Sequence, residues 1–353
     1  MKTIIALFSV VFVGCIAVIT ILAQFELVGS KSIDIQFEHN DALLNGSLLL
    51  PKGEKPFPVV LFIHGDGPQD RFAGDSYALL INAFLEKGIA CFTWDKKGVG
   101  QSSGNWLHQN MSKRADEALA ALKALENRPD IDSNKSGFIG FSQAGWVIPE
   151  IAKKSTVARF YIVVGGAISW LEQSKYITRT RLLSQGFAEN EIKQVLVHNE
   201  MANEKIHSRS SYADYLSFQN KVSAPKGYLT NPVDPDRFRF LTLNRHLDVS
   251  KTIENINTPL LAVWGHDDLN VDAVKSYATY QKAMKNNPHN DFTLLMYQGA
   301  THAILNSDTY NYHRADQWPL LTKIGYLLEG KGAYSEGYLD VLGEWANRQL
   351  HKE

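Results

Sequence analysis

From Ser32 onward the chain alternates short, continuous apolar runs with segments whose apolar residues recur at helical spacing. Residues 33–37 and 43–50 read as two opening strands joined at Asn40-Asp41, the pattern of a hairpin. Residues 59–64 form an unbroken apolar run, as expected of a strand buried on both faces. Residues 76–87 follow with apolar positions at Leu79, Leu80, Ala83 and Phe84, and Gly88 is placed to end that helix. Residues 89–94 predict the next strand. Ser112 is a candidate cap for a helix through Leu125. A strand at 138–141, a helix at 144–154 and a strand at 160–164 complete the first half. This alternation predicts a mostly parallel sheet with helices on both faces.

The pattern breaks between about residues 169 and 250. That stretch holds helical and polar segments, including 189–201, and a loop around Pro225, Pro232 and Pro235. Strand–helix alternation then resumes at 259–264, 272–284 and 292–297, and a helix at 337–351 closes the chain. The expected organisation is an N-terminal segment (1–24), a first core half (25–168), an inserted helical cap (169–250) and a second core half (251–353). A cap in that place would lie over the strand ends, where open α/β sheets bind ligands.

Ahead of the core, Ile4 to Ala23 is apolar with only Ser9 and Thr20 as mild interruptions, about the length that spans a bilayer as a helix. We read it as an uncleaved signal anchor. A signal peptide cut before Gln24, after Ile21-Leu22-Ala23, is the rival reading. Either reading predicts an exported protein, held at the membrane or released outside the cytoplasm, and the anchor alone predicts contact with the membrane. Composition changes little beyond this. A formal net charge of -1 gives no reason to expect a nucleic-acid partner. The two cysteines, Cys15 and Cys91, are placed too differently to pair, and no Cys/His spacing suggests a metal site.

The chemistry concentrates at Gly140-Phe141-Ser142-Gln143-Ala144-Gly145, where an apolar run ends in one serine flanked by small residues. That is the layout of a nucleophile elbow, in which a tight strand-to-helix turn lifts the hydroxyl to a helix N-terminus. A serine hydroxyl needs a base to take its proton and a third group to orient the base. Candidates follow in order after later strands: Gly265-His266-Asp267-Asp268 and Gly299-Ala300-Thr301-His302. His302 is favoured as base over His266, which precedes the acids in the chain. Asp268 is favoured as acid over Asp267, whose simpler role is to stabilise the loop. After the strand at 59–64 comes His64-Gly65-Asp66-Gly67-Pro68. In that glycine-rich turn the backbone N–H of Asp66, with that of Gln143, is a candidate oxyanion hole. His64 is read as orienting this loop. Trp146 is either a pocket residue or packing for its helix. The glycine-rich run from Trp94 to Ser102 lacks the spacing of a phosphate loop and reads as a structural turn.

Together these segments resemble the α/β-hydrolase superfamily, and within it the bacterial branch near dienelactone hydrolases and serine-aminopeptidase-like esterases. The likeness covers about residues 32–165 and 255–350. It implies an α/β-hydrolase fold, Ser142 as nucleophile, His302 as general base, Asp268 as orienting acid, an acyl-enzyme hydrolysed by water, and no cofactor. Two residues depart from the pattern. Ala144 replaces the elbow's second glycine. Asp66 places a carboxylate where this branch often has a small residue, which opposes a developing oxyanion unless it points away or is paired. The leading expectation is a serine hydrolase of small-molecule carboxylic esters. An exopeptidase or amidase would need an acidic pocket, for which Glu189, Glu191, Glu200 and Glu204 of the cap are candidates. A catalytically silent binding protein on the same fold is the third reading.

Overall fold

The structure is a computed structural model that describes residues 23–29, 31–206, 211–221, 223–288 and 291–352. Eight strands form one sheet in the order β1-β2-β4-β3-β5-β6-β7-β8. They are β1 (Lys31–His39), β2 (Ala42–Leu50), β3 (Phe57–Ile63), β4 (Ala90–Trp94), β5 (Ile131–Phe141), β6 (Phe160–Val164), β7 (Leu260–Gly265) and β8 (Phe292–Tyr297). The β1–β2 and β2–β4 pairs are antiparallel, and every later pair is parallel. This is the α/β-hydrolase fold.

The period of two along β3 explains its continuous apolar run. Val59, Leu61 and Ile63 enter one core, while Val60 and Phe62 enter the core on the opposite face. The first core is covered by α2 (Met111–Lys123), α3 (Val147–Lys154) and α8 (Ala273–Asn286). The second is covered by α1 (Ala78–Leu85) and α10 (Tyr338–Leu350). Cys91 is buried in the second core as a free thiol.

Between β6 and β7 the chain builds α4 (Trp170–Ser184), α5 (Glu189–Glu204), α6 (Tyr212–Lys221) and α7 (Pro235–Asn244). Trp170 and Phe240 tie them to the first core, and two small apolar clusters complete their packing, one of Leu182, Ile192 and Val195 and the other of Ile206, Tyr215 and Phe238. A second excursion, residues 303–336, contains α9 (Leu320–Glu329).

Several elements differ from expectation. The cap of α2 is Asn110, whose extended backbone lets its side chain accept from the Lys113 N–H at 2.9 Å; Ser112 lies inside the first turn. The helix expected at Ala144 begins at Val147, because residues Ser142–Gly145 form a 3-10 turn out of the elbow. The excursion at 303–336, with α9, was not anticipated. The expected N-terminal anchor falls on residues of which 1–22 lie outside the described ones. Among the described residues no helix is long and apolar enough to cross a membrane.

Candidate active site

Strand order fixes which loops meet. β3 and β5 are neighbours with Ile63 opposite Gly140, so the turn after His64 lies beside the turn at Ser142. β7 and β8 are neighbours with Gly265 opposite Tyr297, so the loops carrying Asp268 and His302 emerge side by side.

Ser142 has φ of +53°, a left-handed conformation that a side-chain-bearing residue rarely adopts. Small neighbours make so sharp a turn sterically feasible. A side chain at Gly140 would come within 2.8 Å of the Ala144 methyl, and one at Gly145 within 2.6 Å of the Gly166 backbone. Ala144 therefore fits in place of the usual glycine because Gly140 leaves room for its methyl.

His302 Nδ1 lies 2.6 Å from Asp268 Oδ2. The other carboxylate oxygen accepts the N–H groups of Asn270 and Val271 at 2.7 and 2.9 Å, which locks the acid's orientation. Asp268 is buried and His302 partly so. Burial lowers the His302 pKa, but the charge and hydrogen bond of Asp268 outweigh it, and the net shift is upward. Asp267 instead takes the Ser307 hydroxyl at 2.6 Å and His266 at 3.0 Å, which ties the acid loop to the start of the 303–336 excursion.

His64 is a fixed, neutral part of the frame. Its Nε2 sits 2.6 Å from the Trp94 carbonyl, so that nitrogen donates, and Nδ1 faces the Tyr77 hydroxyl at 3.1 Å. Burial, with Lys96 and Arg114 nearby, pushes its pKa down to about 3. Trp146 is buried, stacks on Trp170 at 4.9 Å and donates to the Ile168 carbonyl at 3.0 Å.

Three residues around the 65–68 turn, Lys96, Arg114 and Arg237, left no signal in the sequence. The Lys96 ammonium, buried against the Trp106 ring at 4.6 Å, donates to the carbonyls of Gly65 and Gly67 at 2.5 and 2.8 Å. In a trans peptide the C=O and N–H point to opposite sides, so holding the Gly65 carbonyl aims the Asp66 N–H away from Lys96. Arg114 donates to the His64 carbonyl and to Gln143 Oε1, both at 2.7 Å. Gln143 Nε2 in turn donates to Asp66 Oδ1 at 2.9 Å. The Asp66 carboxylate is closed by Arg237 of α7, whose two nitrogens reach its oxygens at 3.1 and 2.9 Å. Burial raises the Asp66 pKa, but the Arg237 fork and the Lys96 charge override it and hold the acid at about 2. Asp66 is therefore an ionised, paired carboxylate. From the opposite side α4 grips the acid loop. Gln173, Tyr176 and Thr180, spaced to share one helix face, donate to the carbonyls of Asn270 (3.0 Å), Asp268 (2.7 Å) and Leu269 (2.6 Å).

The turn after β4 folds around Asp95, which takes the Arg71 guanidinium at 2.8 Å and the Gln101 N–H at 3.0 Å. Of the candidate acidic-pocket residues, Glu189 pairs with Arg179, Glu200 pairs with Lys175, and Glu191 accepts the Ala188 N–H to cap its own helix.

Known proteins place the chain. Residues 54–309 match the family model described as serine aminopeptidase, S33. The esterase FrsA of Enterobacter sp. (strain 638) is 40% identical over 100 residues, which is 28% of this chain and 23% of that protein. The esterase EstD of Thermotoga maritima is 29% identical over 131 residues, 34% of this chain and 30% of its own length. The chain thus matches less than a third of either relative. The solved structure of the Pyrococcus furiosus esterase Pf2001 aligns over 77% of this chain and 83% of its own with a TM-score of 0.52; at 16% identity it bears on the fold alone. With the family model matched over most of its length, the chain belongs to the serine aminopeptidase S33 family of the α/β-hydrolase superfamily.

Proposed function

We propose that the protein is a serine hydrolase that cleaves carboxylic esters through an acyl-enzyme formed on Ser142. The observation that carries this reading is the 2.6 Å pair of His302 Nδ1 with a buried, backbone-anchored Asp268, on loops of the same sheet edge that presents the strained Ser142. In the first step His302 Nε2 accepts the Ser142 proton as Oγ bonds to the ester carbonyl carbon. The carbonyl oxygen takes the negative charge and is received by the N–H groups of Asp66 and Gln143. Collapse breaks the bond to the alkoxy group, which leaves as the alcohol with the proton held by His302. Water then attacks the acyl-enzyme with His302 again as base, releasing the acid and restoring Ser142. Asp268 holds Nδ1–H throughout and stabilises the imidazolium.

The ester reading is favoured over an exopeptidase because three candidate glutamates for an amine pocket are occupied by a basic partner or a helix N-terminus. The helices between β6 and β7 serve as the cap, and residues 1–24 serve as a membrane anchor for an exported enzyme. The test is Ser142→Ala. Removing a triad member costs about a million-fold in well-studied serine hydrolases, so hydrolysis of p-nitrophenyl acetate should fall to near background in a folded variant. Wild-type turnover, or no labelling of Ser142 by a fluorophosphonate, sinks the assignment.

A further inference from the structure

Helix α9 exposes an apolar stripe with no protein partner among the described residues. Leu320, Leu321, Ile324, Leu327 and Leu328 recur at the spacing of one helix face, and Leu320 and Leu321 are 73% and 81% exposed. No residue of α9 is fully buried. The helix is nevertheless seated firmly on its other side. The Tyr326 ring packs against Phe25, Tyr310 and Trp318 at 5.7, 6.0 and 5.5 Å. Its far end is held by Gln24, whose Oε1 accepts the Lys331 N–H at 2.8 Å. A rigidly mounted helix that turns its leucines outward is unusual for a soluble surface and marks an interaction face.

The chain itself indicates what covers that face. Gln24 and Phe25, which clamp α9, follow directly on the apolar run from Ile4 to Ala23. A bilayer that received that run would lie beside α9, within reach of the stripe. We propose that α9 is a second, interfacial membrane contact, its leucine stripe lying in the headgroup–acyl boundary of a phospholipid bilayer. The partner surface is apolar in character, since the helix carries one cation, Lys323, and no basic cluster. Two contacts, one spanning and one lying flat, would fix the orientation of the protein on the membrane. The excursion bearing α9 begins at the His302 loop, where the Asn306 N–H donates to the Ala333 carbonyl at 2.9 Å and Leu305 bridges Tyr334. Rim and docking face are therefore one connected piece of chain.

This inference rests on the anchor reading of residues 1–24, and the experiment separates the two. Full-length protein carrying Cys15→Ser and Leu321→Cys is spin-labelled at position 321; Cys91 is fully buried and does not compete. It is reconstituted into phosphatidylcholine vesicles, floated on a density gradient, and the label's accessibility to oxygen and to a water-soluble nickel chelate is measured. The expected result is flotation with a lipid-like label, open to oxygen and closed to nickel. Flotation with a nickel-accessible label overturns docking and leaves the anchor standing. Flotation with a label closed to both reagents places residues 1–22 or a second copy on the stripe and also overturns it. Absence of flotation removes both readings.

Discussion

The sheet and the helices inserted between β6 and β7 are built by different means. In the sheet, Val60, Leu61, Phe62 and Ile162 are completely buried, and each parallel strand is covered on both faces. The insertion enters the large core through Trp170 and Phe240, and otherwise relies on two clusters of three buried side chains and on surface ion pairs such as Arg179–Glu189 and Lys175–Glu200. Such exposed pairs contribute little each. The proposed reacting groups hang from the stiff part, while the soft part reaches their loops through polar contacts and the Trp146–Trp170 stack. Chemistry and selectivity are thereby separable, and substitutions in the two regions should have effects of different size and kind.

After the loss expected of Ser142→Ala, the largest effect belongs to Asp268→Asn. An amide in that place cannot hold Nδ1–H as a carboxylate does, and turnover of p-nitrophenyl acetate should fall about ten-thousand-fold with the fold intact. The pH dependence sharpens this. Only neutral His302 can accept the serine proton, so activity should rise with pH through a limb set by a His302 pKa above its ordinary 6.5. Without the Asp268 charge only burial acts on the imidazole, and the limb of the residual activity should move to lower pH. A limb that stays in place would break the assignment of the pair.

Next comes Lys96→Met, which keeps the bulk of the side chain but frees the carbonyls of Gly65 and Gly67. If Lys96 acts by aiming the Asp66 N–H, kcat should fall by about tenfold to a hundredfold, toward the loss of one oxyanion donor, with KM little changed. Equal loss in binding of a ground-state analogue would instead mean that the variant distorts the whole site.

Arg237→Ala tests the point where the insertion reaches the chemistry. It removes the cation that pairs with Asp66 and leaves that carboxylate uncompensated beside the proposed oxyanion hole. Turnover should drop about tenfold, equivalent to ~1.4 kcal/mol. The single variant Asp66→Ser should stay within tenfold of wild type, and the double variant should recover most of what Arg237→Ala lost. Additive losses would show that the two residues act independently.

What was legible in the sequence follows the same division. β3 and β7 were readable because burial on both faces demands unbroken apolar runs, and β8 at the sheet edge by its short, mostly apolar run. Candidate residues could be placed because each follows a strand. The Arg237–Asp66 pair joins residues 171 positions apart, and no spacing marks it. Lys96 sat in a run that reads as a turn, since a lysine buried under a loop looks like any other in sequence. Asn110 outcompeted Ser112 as a cap through backbone geometry, which composition does not encode. In α9 the periodicity is that of a buried helix, yet the stripe faces outward, and hydropathy alone cannot tell which face the fold will cover.

The smallest effect on acetate turnover is expected from Leu182→Ala in the cluster of α4 and α5. Leu182 is completely buried against Ile192 and Val195, and its truncation should cost ~2–5 kcal/mol of local packing. With so few other apolar contacts nearby, that loss should loosen the insertion rather than unfold the sheet. Hydrogen exchange should quicken across 170–204 and remain slow in β3, β5 and β7. A short acyl group asks little of the insertion, so acetate hydrolysis should stay within about threefold, an effect below 1 kcal/mol. If α4 walls the acyl site, longer p-nitrophenyl esters should lose more than acetate. A uniform loss across chain lengths would mean that the grip of Gln173, Tyr176 and Thr180 on the acid loop transmits the disorder to Asp268, and that the two regions are one unit after all.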